Sequence, residues 1–142
     1  MAVLRTPVVL ARTGGALEKM AAPARLGLAA PLGSGKQWMP WVHIDDLARA
    51  YLYVIRNEAM HGAYNVAAQE QVRNLEFMHA VAKALHRPFF LPPVPGLLLR
   101  SLMDGPANLV LHGSRVSSER LEGSGFVFKH PRLAEALETL LG

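Results

Sequence analysis

The chain contains no cysteine among its 142 residues. This absence excludes disulfide bonds, thiolate nucleophiles and cysteine-ligated zinc, and it fits a protein of the reducing cytoplasm, where we expect this one to be. The first residues do not predict a signal peptide, because Arg5, Pro7 and Arg12 interrupt a short apolar run. No run approaches the roughly 20 apolar residues of a membrane-spanning helix, so we expect no membrane partner.

Blocks of positive charge are also absent. The formal net charge is +4, but the lysines and arginines are dispersed. A nucleic-acid surface would require the arginines to converge on one face, and their spacing gives no sign of this, so we expect no nucleic-acid partner. With 51% hydrophobic and 18% charged residues, the chain has the composition of a domain that buries a real core.

Motifs that bind phosphate are missing. A dinucleotide loop needs glycines spaced so that backbone amides at a helix N-terminus approach a pyrophosphate, and no glycines here have that spacing. Residues 33–36 (GSGK) resemble a phosphate loop, but Ala30 stands where that pattern needs glycine and Gln37 where it needs serine or threonine. The run therefore predicts a tight turn.

Catalytic and metal motifs are missing as well. Tyrosine acid–base chemistry needs a lysine four residues after a tyrosine on a helix, and no tyrosine is followed in this way. The six histidines show no metal-ligand spacing. His43 with Asp45 and Asp46 is the one candidate cluster, and the two aspartates are better explained as caps of the following helix. We predict no catalytic residue and no metal site in this chain.

The most informative segment that is present covers residues 37–46, QWMPWVHIDD. Two interpretations of Trp38 and Trp41 stay open. Both can be core anchors at the point where a loop enters a helix, since each indole buries a large area and needs one hydrogen-bond acceptor. Alternatively, both form an aromatic wall for a base or sugar ring, with Gln37 and His43 as hydrogen-bonding groups.

Hydrophobic patterns predict an α/β class. Apolar runs at 8–10 and 63–67 are typical of buried parallel strands, and two β–α passages, at 8–20 and 42–57, favour a parallel sheet. The clearest helix follows the aspartates. Its apolar residues share one helical face, which we predict to be buried: Ile44, Leu47, Ala48, Tyr51, Leu52 and Ile55.

Further elements follow along the chain. Asn74 and Ser118 are predicted helix caps, Phe126–Phe128 is a candidate strand, and Pro131 suits the first turn of a last helix. Short apolar helices are predicted at 96–103 and 107–112. Strands this few and short indicate an incomplete sheet, with an unpaired edge beside Val8–Leu10 and apolar faces left uncovered.

The order of these segments resembles a known family. Residues 5–20 (RTPVVLARTGGALEKM), 27–55 (containing GSGKQWMPWVHIDDLARA) and 62–85 (GAYNVAAQEQVRNLEFMHAVAKAL) are similar to the second half of an extended short-chain dehydrogenase/reductase. More narrowly, they resemble its atypical branch of nucleoside-diphosphate-sugar epimerase-like proteins. Residues 88–103 and 109–141, with the pattern SRV…ERL…GFVF, are similar to the small C-terminal domain of unknown function in that branch.

The resemblance implies an architecture. We expect a remnant of a Rossmann-type parallel sheet, its last strands and helices, followed by a small, mostly helical substrate-side subdomain. Residues 1–87 would be the C-terminal part of the NAD(P)-dependent domain and residues 88–142 the domain of unknown function. The chain would begin near the sixth strand of the family's sheet, after its Gly-rich loop and its Tyr-x-x-x-Lys pair.

The resemblance also implies functional positions. Thr6, Pro7 and Val8 would lie near the nicotinamide end of NAD(P). The substrate side would be lined by Arg12, Gln37, Trp38, Trp41 and His43. The ligand would be a small molecule resembling a nucleotide sugar.

Two hypotheses on function follow. In the first, the chain is the substrate-binding portion of an NAD(P)-dependent epimerase-like protein, inactive alone and without tight cofactor binding of its own. In the second, it is a non-catalytic interaction module that self-associates or pairs with a separately encoded Rossmann half. The family's enzymatic activity therefore cannot be assigned to this chain from its sequence.

Overall fold

A computed structural model describes residues 2–13, 15–90, 92 and 116–141. The helices expected at 96–103 and 107–112 lie outside these residues. The described part contains four strands and five helices, in this order: β1 Ala2–Arg5, β2 Val8–Leu10, α1 Gly15–Arg25, β3 Trp41–His43, α2 Ile44–Arg56, β4 Gly62–Asn65, α3 Asn74–Ala84, α4 Glu119–Gly123 and α5 Leu133–Leu141.

The strands form two parallel pairs, which confirms the α/β class. β1 pairs with β4 in a register that places Ala2 opposite Gly62, and β2 pairs with β3 with Val8 opposite Trp41. Parallel neighbours need a crossover connection, and α1 lies in the one that joins β2 to β3. Among the described residues each strand has a ladder partner on one side only. One edge of Val8–Leu10 is thus paired with β3.

β3 separates two hydrophobic clusters. Because successive side chains of a strand point to opposite faces, Trp41 packs with the cluster of β2, α1, α3 and α5, whereas Val42 packs with the cluster of β4, α2 and α4. Both side chains are completely buried. The segment 126–128, expected as a strand, forms no ladder. Its Phe126 and Phe128 are buried in the second cluster instead, while Val127 is exposed.

None of the six apolar residues predicted for the buried face of α2 is buried, and Leu47 alone among them is partly buried. Tyr51, Leu52 and Ile55 are 48%, 50% and 72% exposed, so the prediction that they belong to the core is wrong. The fully buried residues of this helix are Asp46 and Ala50. α2 carries apolar residues on two sides, with Leu47 and Ala50 on the side that meets the core and Tyr51, Leu52 and Ile55 on the exposed side. Periodicity alone does not tell which side packs against the sheet.

The helix caps also differ from those expected. His43 is the N-cap of α2, and its side chain accepts a hydrogen bond from the Asp45 N–H at 3.0 Å. Arg73 occupies the N-cap position of α3, and the Asn74 side chain instead accepts from the Leu32 N–H at 2.7 Å. The N-cap position is therefore wrong for both aspartates and for Asn74, because all three residues lie in the first turn of their helices and not before it.

Ser118 and Pro131 precede the last two helices. Ser118 occupies the N-cap position of α4, but its hydroxyl caps no backbone amide and donates to the Glu122 carboxylate at 2.6 Å. Pro131 stands two residues before α5, which begins at Leu133. No helix among the described residues is both long and apolar enough to cross a bilayer.

A buried carboxylate joins α2 to the segment before α5. The Asp46 side chain is completely inaccessible and accepts hydrogen bonds from the backbone N–H groups of Lys129 and His130, both at 2.8 Å. The Arg49 guanidinium donates to the same carboxylate at 2.7 Å. A buried charge is tolerated only when it is paired and hydrogen-bonded, and these three donors meet that condition.

Asp46→Asn should lower the free energy of unfolding by about 3 kcal/mol, since its amide NH2 would face a backbone N–H and the charge paired with Arg49 would be lost. Asp45→Asn is the matched control. The Asp45 side chain is 63% exposed, so its loss should cost less than about 1 kcal/mol. Urea unfolding of both variants tests this, and equal losses would contradict the assigned role of Asp46.

Candidate functional site

The carboxyl ends of β2 and β3 lie at one edge of their sheet. Leu10 is opposite His43 in the ladder, and Arg12 follows β2 by two residues. Ligands of open parallel α/β sheets bind at this edge. We define the carboxyl-edge cluster as the polar side chains gathered there: Arg12, His43, Asp45, His130 and Thr139.

Thr139 on α5 connects the two predicted substrate-side residues Arg12 and His43. The His43 Nε2 atom lies 2.8 Å from the Thr139 hydroxyl, and the Arg12 guanidinium donates to the Thr139 carbonyl at 2.9 Å. The same hydroxyl donates to the Ala136 carbonyl at 2.7 Å, so it accepts from His43 Nε2–H. Because His43 Nδ1 accepts from Asp45 N–H, the hydrogen bonds assign the neutral Nε2–H tautomer.

His130 stacks on His43. The ring centroids are 3.9 Å apart and the planes are inclined by 16°. The His130 Nε2 atom is buried without a hydrogen-bond partner among the described residues and lies 3.7 Å from the Asp45 carboxylate. The His130 ring therefore covers one face of the His43 ring.

The donor set of His43, Asp45 and His130 resembles a metal site in composition, and its ligand atoms lie within 4.8 Å of one another. Its geometry does not favour one. A metal lies in the plane of each imidazole at about 2.0–2.1 Å from nitrogen, and two stacked rings hold their lone pairs in separate, nearly parallel planes. Moreover, the His43 Nδ1 lone pair already accepts a hydrogen bond.

The pKa of His43 is lowered from its ordinary value of 6.5. Burial is the largest cause, because it penalises the charged imidazolium, and repulsion from His130 and Lys129 adds to it. Asp45 and Asp46 oppose the shift. His43 therefore acts in the folded protein as a neutral hydrogen-bonding group.

Arg12 and His43 are thus brought together, but Gln37 and Trp38 lie in a different neighbourhood. Gln37 donates to the Leu32 carbonyl at 2.9 Å, and the Arg73 guanidinium lies over the half-buried Trp38 ring at 4.6 Å from its centroid. Together with the turn that precedes them, they form a surface beside the N-terminus of α3.

Two predicted substrate-side residues offer no surface to a ligand. Trp41 is completely buried and its indole N–H donates to the Glu70 carbonyl at 2.8 Å. His43 is 2% exposed and both of its ring nitrogens are hydrogen-bonded. The expectation that they line a ligand site is therefore not met by these residues, and Trp41 is the core anchor of the alternative interpretation.

The predicted cofactor-side residues join two strands. Thr6 and Pro7 connect the carboxyl end of β1 to Val8, the first residue of β2. Thr6 is exposed, whereas Val8 is 3% exposed and belongs to the core. Only the Thr6–Pro7 link therefore presents surface at this point.

Sequence reasoning did not find His130 and Thr139. Thr139 lies 96 positions from His43, and no local pattern marks either residue as functional. Both residues reach this edge because Asp46 binds the segment at Lys129 and His130, and α5 follows that segment. This packing is a tertiary feature that no local sequence pattern shows.

Comparison with known proteins adds independent information. Residues 9–67 match the model of the NAD dependent epimerase/dehydratase family, and residues 94–140 match a domain of unknown function, DUF1731. The mouse epimerase family protein SDR39U1 is 39% identical over 140 residues, which are 98% of this chain and 47% of the mouse protein. The epimerase family protein SERP0438 of Staphylococcus epidermidis is 36% identical, over 96% of this chain and 46% of that protein.

A solved structure resembles the whole described fold. The human epimerase family protein SDR39U1, isoform 2, crystallised with NADPH, matches with a TM-score of 0.90 at 35% identity, over 99% of this chain and 48% of the human chain. Residues 9–67 thus match the NAD dependent epimerase/dehydratase family, and the chain as a whole is similar to part of epimerase family proteins. It spans about half the length of the curated relatives it matches.

A more distant family structure shows the fold alone. The nucleoside-diphosphate sugar epimerase of Corynebacterium glutamicum has a TM-score of 0.77 at 24% identity, over 99% of this chain and 26% of that protein.

Acidification should destabilise the protein through His43. Because the folded-state pKa lies below 6.5, the unfolded state binds more protons between these two values, and stability falls as the pH drops through that window. Above pH 6.5, the contribution of neutral His43 to the free energy of unfolding is fully present. Urea unfolding between pH 8 and pH 5 should show this loss, and a smaller one in His43→Asn, which keeps a cap acceptor but does not titrate. Identical pH dependence in both proteins would contradict the assignment.

Truncating the two tryptophans should have unequal effects. Trp41→Ala empties a completely buried site and should cost about 3–5 kcal/mol of unfolding free energy. Trp38→Ala should cost clearly less, since its ring is half-buried and an exposed cation–π contact contributes about 0.5–1 kcal/mol. Denaturant titration of both variants measures the difference. An unchanged stability in Trp41→Ala would return this residue to the ligand-wall interpretation.

Proposed function

We propose that this chain forms the substrate-side portion of an NAD(P)-dependent nucleoside-diphosphate-sugar epimerase-like protein and that it is inactive without a cofactor-binding half. The observation that carries the proposal is the match, at a TM-score of 0.90, to 48% of a human relative whose crystal structure contains NADPH. On this basis Thr6 and Pro7 lie at the nicotinamide side, and the exposed Arg12 and Asp45 of the carboxyl-edge cluster face the substrate.

The residues present do not fit the phosphates of NAD(P). The turn at 33–36 superficially resembles a phosphate loop, but a Cβ added to Gly35 would lie 3.1 Å from the Pro31 Cβ and 3.4 Å from the Leu75 Cβ. Gly35 is therefore required for packing against α3. Its N–H donates to the Leu32 carbonyl at 3.1 Å, as in a tight turn. No step of hydride transfer is assigned to this chain alone.

Arg12 is the group best suited to orient a nucleotide-sugar-like ligand. It is exposed at the carboxyl edge, and among the residues that the structure describes one of its five donors is used, by the Thr139 carbonyl. A guanidinium held in this way can bind a diphosphate with two parallel hydrogen bonds. The exposed Asp45 carboxylate lies in the same cluster and can accept a hydrogen bond from a sugar hydroxyl.

A second candidate function, that of an interaction module, is supported by one observation. The exposed apolar stripe of α2 is the kind of surface that recruits a protein partner. The two functions are compatible if the partner is the half that supplies the cofactor site.

NADPH fluorescence tests the proposed function. We expect the purified chain to produce no saturable change in nicotinamide fluorescence, because it provides no cradle for the phosphates. The full-length human relative serves as the positive control in the same buffer. Tight, saturable NADPH binding by this chain alone would refute the proposal that the cofactor site lies elsewhere.

A further inference from the structure

A groove of about 430 Å³ lies between the second half of α2 and the segment that follows α4. We define the α2 groove by the residues that line it: Arg49, Leu52, Tyr53, Arg56, Asn57, Gly125, Phe126 and Val127. Small-molecule sites typically have volumes of about 300–1,000 Å³, so the size of this groove suits a small ligand. None of its residues belongs to the carboxyl-edge cluster, which lies at the other end of α2. The α2 groove is therefore a separate site.

Specific contacts join the two sides of the α2 groove. The Tyr53 hydroxyl donates to the Ser124 carbonyl at 2.6 Å, and the Tyr53 ring meets the Phe126 ring edge-on, with 5.5 Å between their centroids. Gly125 has a φ of +114°, and a Cβ there would lie 3.0 Å from the Tyr53 hydroxyl. Glycine therefore permits both the backbone conformation and the close approach. The groove is a built feature of the fold and not a chance gap between two loose segments.

The floor of the α2 groove is apolar. Phe126 is 5% exposed, whereas Leu52 and Val127 are 50% and 71% exposed. Val127 stands between two phenylalanines that are buried in the core, so its own side chain is directed outward into the groove. These three side chains offer a continuous apolar surface to the body of a ligand.

The charge of the α2 groove is positive. Arg49 and Arg56 are seven positions apart, which is about two helical turns and places them on the same side of α2, and no carboxylate lines the groove. The Arg49 guanidinium is held by its bond to Asp46 and lies 5.3 Å from the centroid of the Phe126 ring, yet its side chain is 42% exposed. Arg56 is exposed, and no described residue forms a hydrogen bond or an ion pair with it. Its charge is therefore open to an anion.

Helix stabilisation alone does not account for Arg56 in this place. An arginine in the last turn interacts favourably with the helix dipole, and Arg25 has the same position in α1. Arg25 is not among the residues of the α2 groove. What distinguishes Arg56 is the apolar floor beside it and the second guanidinium two turns away.

We propose that the α2 groove binds a small organic anion that has a flat apolar body. Its carboxylate or sulfonate accepts two hydrogen bonds from the Arg56 guanidinium, and the positive charge of Arg49 adds to the attraction. Its apolar body lies on Leu52, Phe126 and Val127. The inference goes beyond the proposed function and does not depend on it, because no residue of the carboxyl-edge cluster takes part.

Fluorescence of anilinonaphthalene sulfonate tests the α2 groove, because this probe joins a sulfonate to a flat aromatic body. We expect the purified chain to bind it saturably. Arg56→Glu should weaken binding at least about tenfold, since a charge-assisted bond is replaced by repulsion. Arg25→Glu is the matched control, because it removes an exposed arginine from the last turn of another helix, and it should change the affinity less than about twofold.

A second pair of variants tests the apolar floor independently. Val127→Asp places a carboxylate on that floor and should also weaken binding at least about tenfold. Leu26→Asp is its control, because Leu26 is 77% exposed and does not line the α2 groove. All four variants change exposed side chains, so each should keep the wild-type melting temperature, which shows that a lost affinity is not a lost fold.

Competition separates an organic anion from charge or apolar surface alone. Naphthoate should displace the probe, whereas the same concentration of sodium phosphate should not. Equal displacement by both anions would show that charge alone is recognised and would overturn the inference. The inference also fails if no saturable binding occurs, if each variant has the same affinity as its control, or if the neutral analogue phenylnaphthylamine binds as tightly as the sulfonate.

Discussion

The buried carboxylate of Asp46 is the interaction on which the arrangement of this structure depends. It lies in the first turn of α2 and binds two consecutive backbone amides that are 83 and 84 positions later in the chain. Since a desolvated charge is stable only with all of its partners in place, this contact fixes where the late segment crosses α2. The segment then enters α5, whose Thr139 meets Arg12 and His43.

The same contact explains the character of the carboxyl-edge cluster. Fixing Lys129 and His130 at Asp46 brings the His130 ring onto His43, and the stack removes His43 from solvent. His43 is therefore a neutral N-cap of α2 whose side chain also bonds to Thr139 of α5, and it is not open to a ligand. The charged groups of the cluster that are exposed are Arg12 and Asp45, one cationic and one anionic.

The exposed apolar surface of α2 and β1 relates the fold to the proposed function. Two hydrophobic clusters on either side of β3 are well filled, so the chain has a core of its own. Beside that core, α2 and β1 expose apolar surface and backbone groups that a parallel α/β sheet normally covers. The human relative has the same fold over 99% of this chain, and the match covers 48% of the human chain.

The sequence by itself determined the class of the fold, the strands β2 and β4, the helices α1 to α3 and the resemblance to the epimerase family, because these depend on local periodicity and on motif order. The family resemblance also named Arg12, Gln37 and Trp38 as substrate-side positions, and this stays a prediction. Tertiary structure alone decided that Trp41 and His43 are buried, that Asp46 binds across the fold rather than capping a helix, and that the stripe of Tyr51, Leu52 and Ile55 faces outward. The physical reason is that periodicity reveals which residues share a face, while burial depends on which other segment packs there. For Asp46 and His43, that segment lies more than eighty positions later in the chain.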